Sequence, residues 1–278
     1  MLKLYGLIGN PIAQSKSPLM QNDLFHSNHI DAYYQPFLVE KGKLHQAVEG
    51  IRALGISGFN VTVPFKSDII PLLDAVDPLA GEIGAVNTVI NEDGRLKGYN
   101  TDGPGFLRSL EEAGVSTEGA DILVIGAGGG ARAISFAIGK TNPKRIDICN
   151  RSMDNAKVLA GEIAAKIPSS ALSLKEAERA INDYGVVIQT TPSGMFPKPE
   201  EMPLDLLNLD SQKVVADIIY NPSETKFLEM ARKKGATTIN GIGMFIHQGA
   251  LAFELWTGIR PDTERMKRLV MDQLGGGN

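Results

Sequence analysis

Ile122-Leu123-Val124-Ile125 runs without a break into Gly126-Ala127-Gly128-Gly129-Gly130-Ala131, and few folds accommodate that junction. Four consecutive apolar residues leave no face for water, so they read as a strand buried on both sides, as in a parallel sheet. The glycines match G-x-G-x-x-G/A, in which residues without Cβ allow a tight turn and let the backbone approach a pyrophosphate. Its charge is met there by free N–H groups and by the N-terminal dipole of the following helix. An ordinary Gly-rich turn has the same composition, and the strand before and helix after set the dinucleotide reading above it.

The next strand, Arg145 to Cys149, ends in Asn150-Arg151-Ser152. An acid at this place bonds the ribose 2′-hydroxyl of NAD. A carboxylate would repel a 2′-phosphate, whereas Arg151 can pair with it and the Ser152 hydroxyl can donate to it, so the pattern favours NADP. Asp147 lies mid-strand, too early to reach the ribose, and reads as structural. Cys149, inside the same strand with no base beside it, reads as a packed hydrophobe.

Along the chain, strands from Leu4 to Gly9, Tyr33 to Val39 and Phe59 to Val63 alternate with helices. Ser17 and Pro18 are expected as N-cap and first-turn residues of the first helix, and Gly55 as the stop of the second. Asp93-Gly94 marks a hairpin turn between Ala85–Ile90 and Arg95–Asn100, which makes the sheet mixed. After Asp102 the alternation of strand and helix is that of a doubly wound fold. Two final helices, about Met244 to Trp256 and Glu264 to Leu274, are placed back against the first domain. The expectation is an α/β protein of two domains: 1–101 with 240–278, carrying a mixed sheet, and 102–239, of Rossmann type. A length of 278 residues fits two domains with a cleft.

Composition narrows the partners. With 28 basic and 32 acidic residues, net charge −4, no field gathers nucleic acid or an anionic membrane. One cysteine excludes a disulfide framework, and four histidines without ligand spacing give no metal site. The start of the chain has no signal-peptide core and no stretch reaches membrane-spanning length, so the expectation is a cytoplasmic protein.

Polar residues at the strand ends of the first domain form a second set: Ser15, Ser17, Asn60, Thr62, Lys66, Asn87, Thr101 and Asp102. Hydroxyls and amides there suit a polyhydroxylated ligand, and a lysine close to a carboxylate suits proton transfer to an oxygen that gains charge. Taken singly, each is better read as structural: Ser17 as a helix cap, Asn60 and Asn87 as turn formers, and Lys66 as a solvated charge.

The set as a whole resembles the shikimate dehydrogenase family from end to end. Ser15-Lys16-Ser17-Pro18 is similar to its S-x-S-P loop and Asn60-Val61-Thr62-Val63-Pro64-Phe65-Lys66 to its N-V-T-x-P-x-K. Gly84-Ala85-Val86-Asn87-Thr88 and Asn100-Thr101-Asp102-Gly103 are similar to two further motifs. The resemblance implies NADPH-dependent, reversible reduction of 3-dehydroshikimate to shikimate in the chorismate pathway, by a monomer or homodimer that needs no metal. It further implies that Ser15, Ser17, Asn60, Thr62, Asn87, Asp102 and Gln248 hold the substrate, with Lys66 and Asp102 the catalytic pair. Tyr220, in Tyr220-Asn221-Pro222, and Gly243 would border the nicotinamide. Family members that use NADP often carry a second arginine four residues after the first, where this chain has Asn155. The competing readings are a quinate/shikimate dehydrogenase that accepts NAD, and a ligand-binding regulator on the same scaffold. Retention of both Lys66 and Asp102 argues against the regulator, since a pure binder needs no proton donor.

Overall fold

The computed structural model describes residues 2–275. The chain divides into two compact units, one of Met1–Thr101 and Ile246–Asn278, the other of Asp102–Phe245. Residues 1 and 276–278, at the ends of the first domain expected from the sequence, lie outside the described residues. Among the described residues no helix is long and apolar enough to cross a membrane.

The first unit runs β1 (Lys3–Gly9), α1 (Ser17–Ser27), β2 (Ala32–Leu38), α2 (Leu44–Ala53), β3 (Gly58–Val61), β4 (Ala75–Val76), α3 (Pro78–Ile83), β5 (Thr88–Glu92) and β6 (Arg95–Tyr99). Its six-stranded sheet has the order β2-β1-β3-β5-β6-β4. β1 is parallel to both neighbours, whereas β5 is antiparallel to β3 and β6, so the sheet is mixed as the hairpin signal implies. Asp93 and Gly94 both take positive φ, 51° and 89°, in the two-residue turn whose twist suits the strands it joins. Strand β3 stops at Val61, short of the expected Val63, because the chain enters the turn before Pro64, whose nitrogen has no hydrogen to give a ladder.

The second unit runs α4 (Asp102–Glu112), β7 (Asp121–Ile125), α5 (Gly129–Ile138), β8 (Arg145–Cys149), α6 (Met153–Ala164), β9 (Ala171–Leu172), α7 (Leu174–Ala180), β10 (Val186–Gln189), β11 (Val214–Asp217), α8 (Lys226–Lys233) and β12 (Thr237–Ile239). Its sheet is parallel throughout, in the order β12-β11-β10-β7-β8-β9. Each face carries its own core. Ile122 and Val124 of β7 pack with Ile134, Ile146 and Leu159, and Leu123 and Ile125 pack with Val187, Val215 and Phe227. This two-sided burial explains the unbroken apolar run, each such side chain contributing roughly 1.5–3 kcal/mol.

The last two helices are α9 (Gly241–Thr257) and α10 (Thr263–Gly275). From Ile246 onward they belong to the first unit. Trp256 donates its Nε1–H to the Val89 carbonyl at 3.0 Å, and Arg265 grips Asp23 of α1 with two bonds of 2.6 Å. A Cβ on Gly58 would lie 2.5 Å from the Trp256 ring, so this docking requires glycine in β3.

Candidate active site

In the second unit, β7 delivers the chain to Gly126, whose N–H donates to the Cys149 carbonyl at 2.7 Å. Gly126 has φ +118°, and a Cβ there would lie 2.3 Å from Thr190 Oγ1, so both conformation and space demand glycine. Gly128 and Gly129 face open space and are exposed. No side chain caps α5 at Gly128, which leaves the first N–H groups of that helix to a ligand or to water. Gly126, Ala127 and Gly128 line a cleft of about 770 Å³ together with Asn150 and Arg151. The glycine loop and the cation after β8 are therefore brought to one cavity. The residues present fit a dinucleotide: N–H groups and space where Cβ atoms would stand, and an exposed arginine with no acid at 150–152. Ser152 is exposed at the N-cap of α6 and its hydroxyl makes no cap bond there, but it is not among the residues lining the cleft.

The cleft has a wall that the sequence does not announce: Thr190, Thr191, Pro192 and Ser193, then Met195 to Lys198 and Glu201 to Pro203. Gln189, fully buried at the end of β10, shapes it. Its Nε2 donates to the Thr191 and Ser193 carbonyls, each at 2.9 Å, and its Oε1 accepts from the Thr191 N–H. The available signal was a polar Thr-Thr-Pro-Ser run directly after a strand of a parallel sheet, the edge at which ligands collect.

Asp147, in the middle of β8, and Cys149, buried as its last residue, are structural. Asp147 accepts from the Ser170 N–H at 2.7 Å and the Tyr184 hydroxyl at 2.8 Å. Burial pushes the Cys149 thiol up to about 12, far from thiolate formation. Asp217 is 1% exposed at the end of β11, and burial raises its carboxyl to about 6 despite opposing bonds from the Ile219 N–H and the Thr225 hydroxyl. Its folded value stands above the unfolded one, so the folded state holds the proton more tightly. The group thus adds stability at low pH that is lost as pH rises from the unfolded value through about 6. Lowering the pH from about 7 to about 5 is expected to gain roughly 1–1.5 kcal/mol from this group. Denaturant unfolding at the two pH values checks it. An Asp217→Asn chain that keeps the same increment would assign the effect elsewhere.

In the first unit, Asn60, Asn87 and Thr101 of the polar set join Tyr34 and Thr88 in one hydrogen-bonded network at the ends of β3, β5 and β6. Asn60 Oδ1 accepts from the Tyr34 hydroxyl at 2.7 Å, and its Nδ2 donates to the Asn87 carbonyl and to Thr88 Oγ1 at 3.1 and 3.0 Å. Asn87 Nδ2 donates to Thr101 Oγ1 at 2.9 Å while its Oδ1 accepts the Thr101 N–H at 2.8 Å. The chain is thereby pinned one residue before Asp102, a buried residue that opens α4. Lys66, half-buried, accepts through its carbonyl from the Val86 N–H at 2.8 Å, which sets it beside the segment leading to Asn87. Thr62 lies against the end of β1, where a Cβ on Gly9 would come 2.3 Å from its methyl group.

Ser17 is not the N-cap expected from the sequence. The cap is Lys16, with helical backbone and no side-chain bond, and the Ser17 N–H donates to Ser15 Oγ at 3.2 Å. The physical reason is that the helix starts one residue earlier: the Lys16 carbonyl already accepts the Met20 N–H at 3.2 Å, so Ser17 is the first helical residue and its N–H, outside the helix ladder, goes to Ser15. One turn later on α1, Gln21 Nε2 donates to the Gly249 carbonyl at 3.0 Å. That bond ties the turn of α9 that carries Gln248 to the helix that carries Ser17. Tyr220 and Gly243 do not line the glycine-loop cleft. Tyr220 stacks on Phe245 with ring centroids 4.5 Å apart, in the same first turns of α9 as Gly243.

Comparison with known proteins places these residues in a lineage. Residues 7–89 match the family model of the shikimate dehydrogenase substrate binding domain. Residues 109–237 match that of shikimate / quinate 5-dehydrogenase, and 241–271 that of the shikimate 5′-dehydrogenase C-terminal domain. The chain is 53% identical over 277 residues to a shikimate dehydrogenase (NADP(+)) of Geobacillus sp. (strain WCH70), covering 99% of this chain and all (100%) of the relative. Among solved structures it is similar to shikimate 5-dehydrogenase from Listeria monocytogenes in complex with shikimate and NAD, at 35% identity and TM-score 0.91, covering 97% of this chain and 96% of that one. It is likewise similar to the Thermus thermophilus enzyme in complex with NADP(H) and shikimate, at 33% identity and TM-score 0.89, covering 97% and 98%. With both sheets, the glycine loop and the strand-end polar network in place and family models matching across both units, the chain belongs to the shikimate dehydrogenase family.

Proposed function

We propose that this chain catalyses the reversible, NADPH-dependent reduction of 3-dehydroshikimate to shikimate in aromatic amino-acid biosynthesis. The observation that carries the reading is the joint presence of two sites: a glycine-loop cleft with Arg151 as its cation, and a hydroxyl and amide network at the strand ends of the first unit. When bound, NADPH supplies the hydride that reduces the ring ketone. The N–H groups at the start of α5 hold the pyrophosphate, and Arg151, aided by Asn150 and Ser152, holds the 2′-phosphate. Tyr220 and Gly243 border the nicotinamide.

Ser15, Ser17, Thr62, Asn87, Asp102 and Gln248 bind the ring hydroxyls and carboxylate. Asn60 contributes its remaining acceptor capacity, because both of its amide hydrogens are already donated to Asn87 and Thr88. Its larger part is to hold Asn87 in place. Lys66, with Asp102 as its partner, donates a proton or hydrogen bond to the oxygen that gains charge as the ketone is reduced.

In an assay that follows reduced nicotinamide, Ser15→Ala and Gln248→Ala are expected to raise the KM for shikimate by about 2–10-fold, as single hydrogen bonds do, with kcat little changed. Unchanged KM in both variants would remove these residues from the substrate site.

A further inference from the structure

Asp217 is a buried carboxyl that neither the glycine-loop cleft nor the polar network of the first unit uses. Among the described residues no cation pairs with it, and its only opposing influences are hydrogen bonds. An apolar side chain at this place would avoid the cost of burying a carboxyl. What the carboxyl provides is two acceptors at a fixed separation. Its Oδ1 accepts from the Ile219 N–H at 2.9 Å and its Oδ2 from the Thr225 hydroxyl at 2.7 Å. Thr225, 0% exposed, in turn caps α8 by accepting the Leu228 N–H at 3.4 Å.

One carboxyl therefore fixes both the exit of β11 and the entry of α8, and the loop 218–224 between them carries Tyr220. That loop is fastened to the start of α9 as well. The Gly241 N–H donates to the Ile219 carbonyl at 3.0 Å, and Asn240 Nδ2 donates to the Ser223 carbonyl at 2.9 Å. A Cβ on Gly241 would lie 2.1 Å from the Ile218 carbonyl oxygen, so the two backbones touch with no room to slide. The Tyr220 ring is stacked on Phe245 at an interplanar angle of 21°.

We propose that Asp217 is a positioning residue for the reaction: by bridging Ile219 and Thr225 it fixes the loop 218–224 and, with it, the place of Tyr220. The inference rests on the reading that Tyr220 borders the nicotinamide. Asp217→Asn keeps an acceptor for Ile219 but puts an amide against the Thr225 hydroxyl. Thr225→Val removes the hydroxyl in nearly the same volume, and Thr225→Ser keeps it.

The test uses the full chain and measures kcat and KM for shikimate and NADP, together with the dissociation constant of 2′,5′-ADP, which probes the Arg151 cleft alone. Asp217→Asn and Thr225→Val are each expected to lower kcat/KM about 10-fold or more, since small misplacements at a reacting centre cost that much. Affinity for 2′,5′-ADP stays as in the parent chain, and Thr225→Ser retains activity. In the double variant Asp217→Asn/Tyr220→Ala, kcat/KM falls no further than in Tyr220→Ala, because Asp217 acts through Tyr220. Multiplicative losses in the double variant, full activity in Thr225→Val, or loss of 2′,5′-ADP affinity in step with activity would overturn the proposal while leaving the family reaction intact. A Tyr220→Ala chain with parental kcat/KM would instead overturn the placement of Tyr220 at the nicotinamide, and this proposal with it.

Discussion

Replacing Lys66 by alanine is expected to lower kcat by about 10²–10⁴-fold, the range contributed by a general acid–base group and equivalent to roughly 3–5 kcal/mol of barrier. A half-buried lysine in a purely structural place would leave turnover almost unchanged, so the magnitude separates the two assignments. The backbone at Lys66 is held through its carbonyl by Val86, and alanine keeps that bond. The variant should therefore fold, and it should bind NADPH normally, since the Arg151 cleft is built wholly from the second unit. Asp102→Asn should also lower kcat, with a rise in KM if the carboxylate touches a ring hydroxyl. Near-parental kcat in Lys66→Ala at saturating substrate would move the proton donor to Asp102 or to water.

The second large effect concerns the cofactor. Arg151→Ala is expected to weaken NADPH binding by roughly 1.5–3 kcal/mol, the worth of a charge-assisted hydrogen bond, and to leave NADH binding nearly unchanged. Arg151 is exposed on the wall of the cleft, and position 155, in the first turns of α6, holds an uncharged asparagine. On the proposed reading, discrimination between the two cofactors falls mainly on this side chain. Direct titration of both cofactors checks it, and equal losses for NADPH and NADH would show that Arg151 does not hold the 2′-phosphate.

Much of this architecture was legible because local chemistry and tertiary burial ask for the same residues. The run Ile122–Ile125 is apolar because both faces of β7 are covered, and Gly126 must be glycine for φ and for space, so strand and loop announce themselves together. Asp93-Gly94 announces its hairpin because both residues take positive φ. The parts that stayed hidden depend on partners far away in sequence. β4 and β9 have two residues each and β12 three, too few for any period, and they exist because a neighbouring strand offers hydrogen bonds. A serine before a proline is a common cap, and nothing local shows that this helix already starts from the Lys16 carbonyl with Ser15 accepting the Ser17 N–H. The Thr190–Ser193 wall is shaped by a buried glutamine, and the Asp217–Thr225 bridge spans a loop. Both are invisible to periodicity.

Whether this chain pairs shikimate with NADP is decided by steady-state kinetics of the purified protein with shikimate and quinate, each with NADP and NAD. The value of kcat/KM for shikimate with NADP is expected to exceed that of every other combination by more than about 10-fold, as one charge-assisted contact to the 2′-phosphate and a site built around the shikimate hydroxyls require. Equal or higher kcat/KM with NAD, or with quinate, would contradict it.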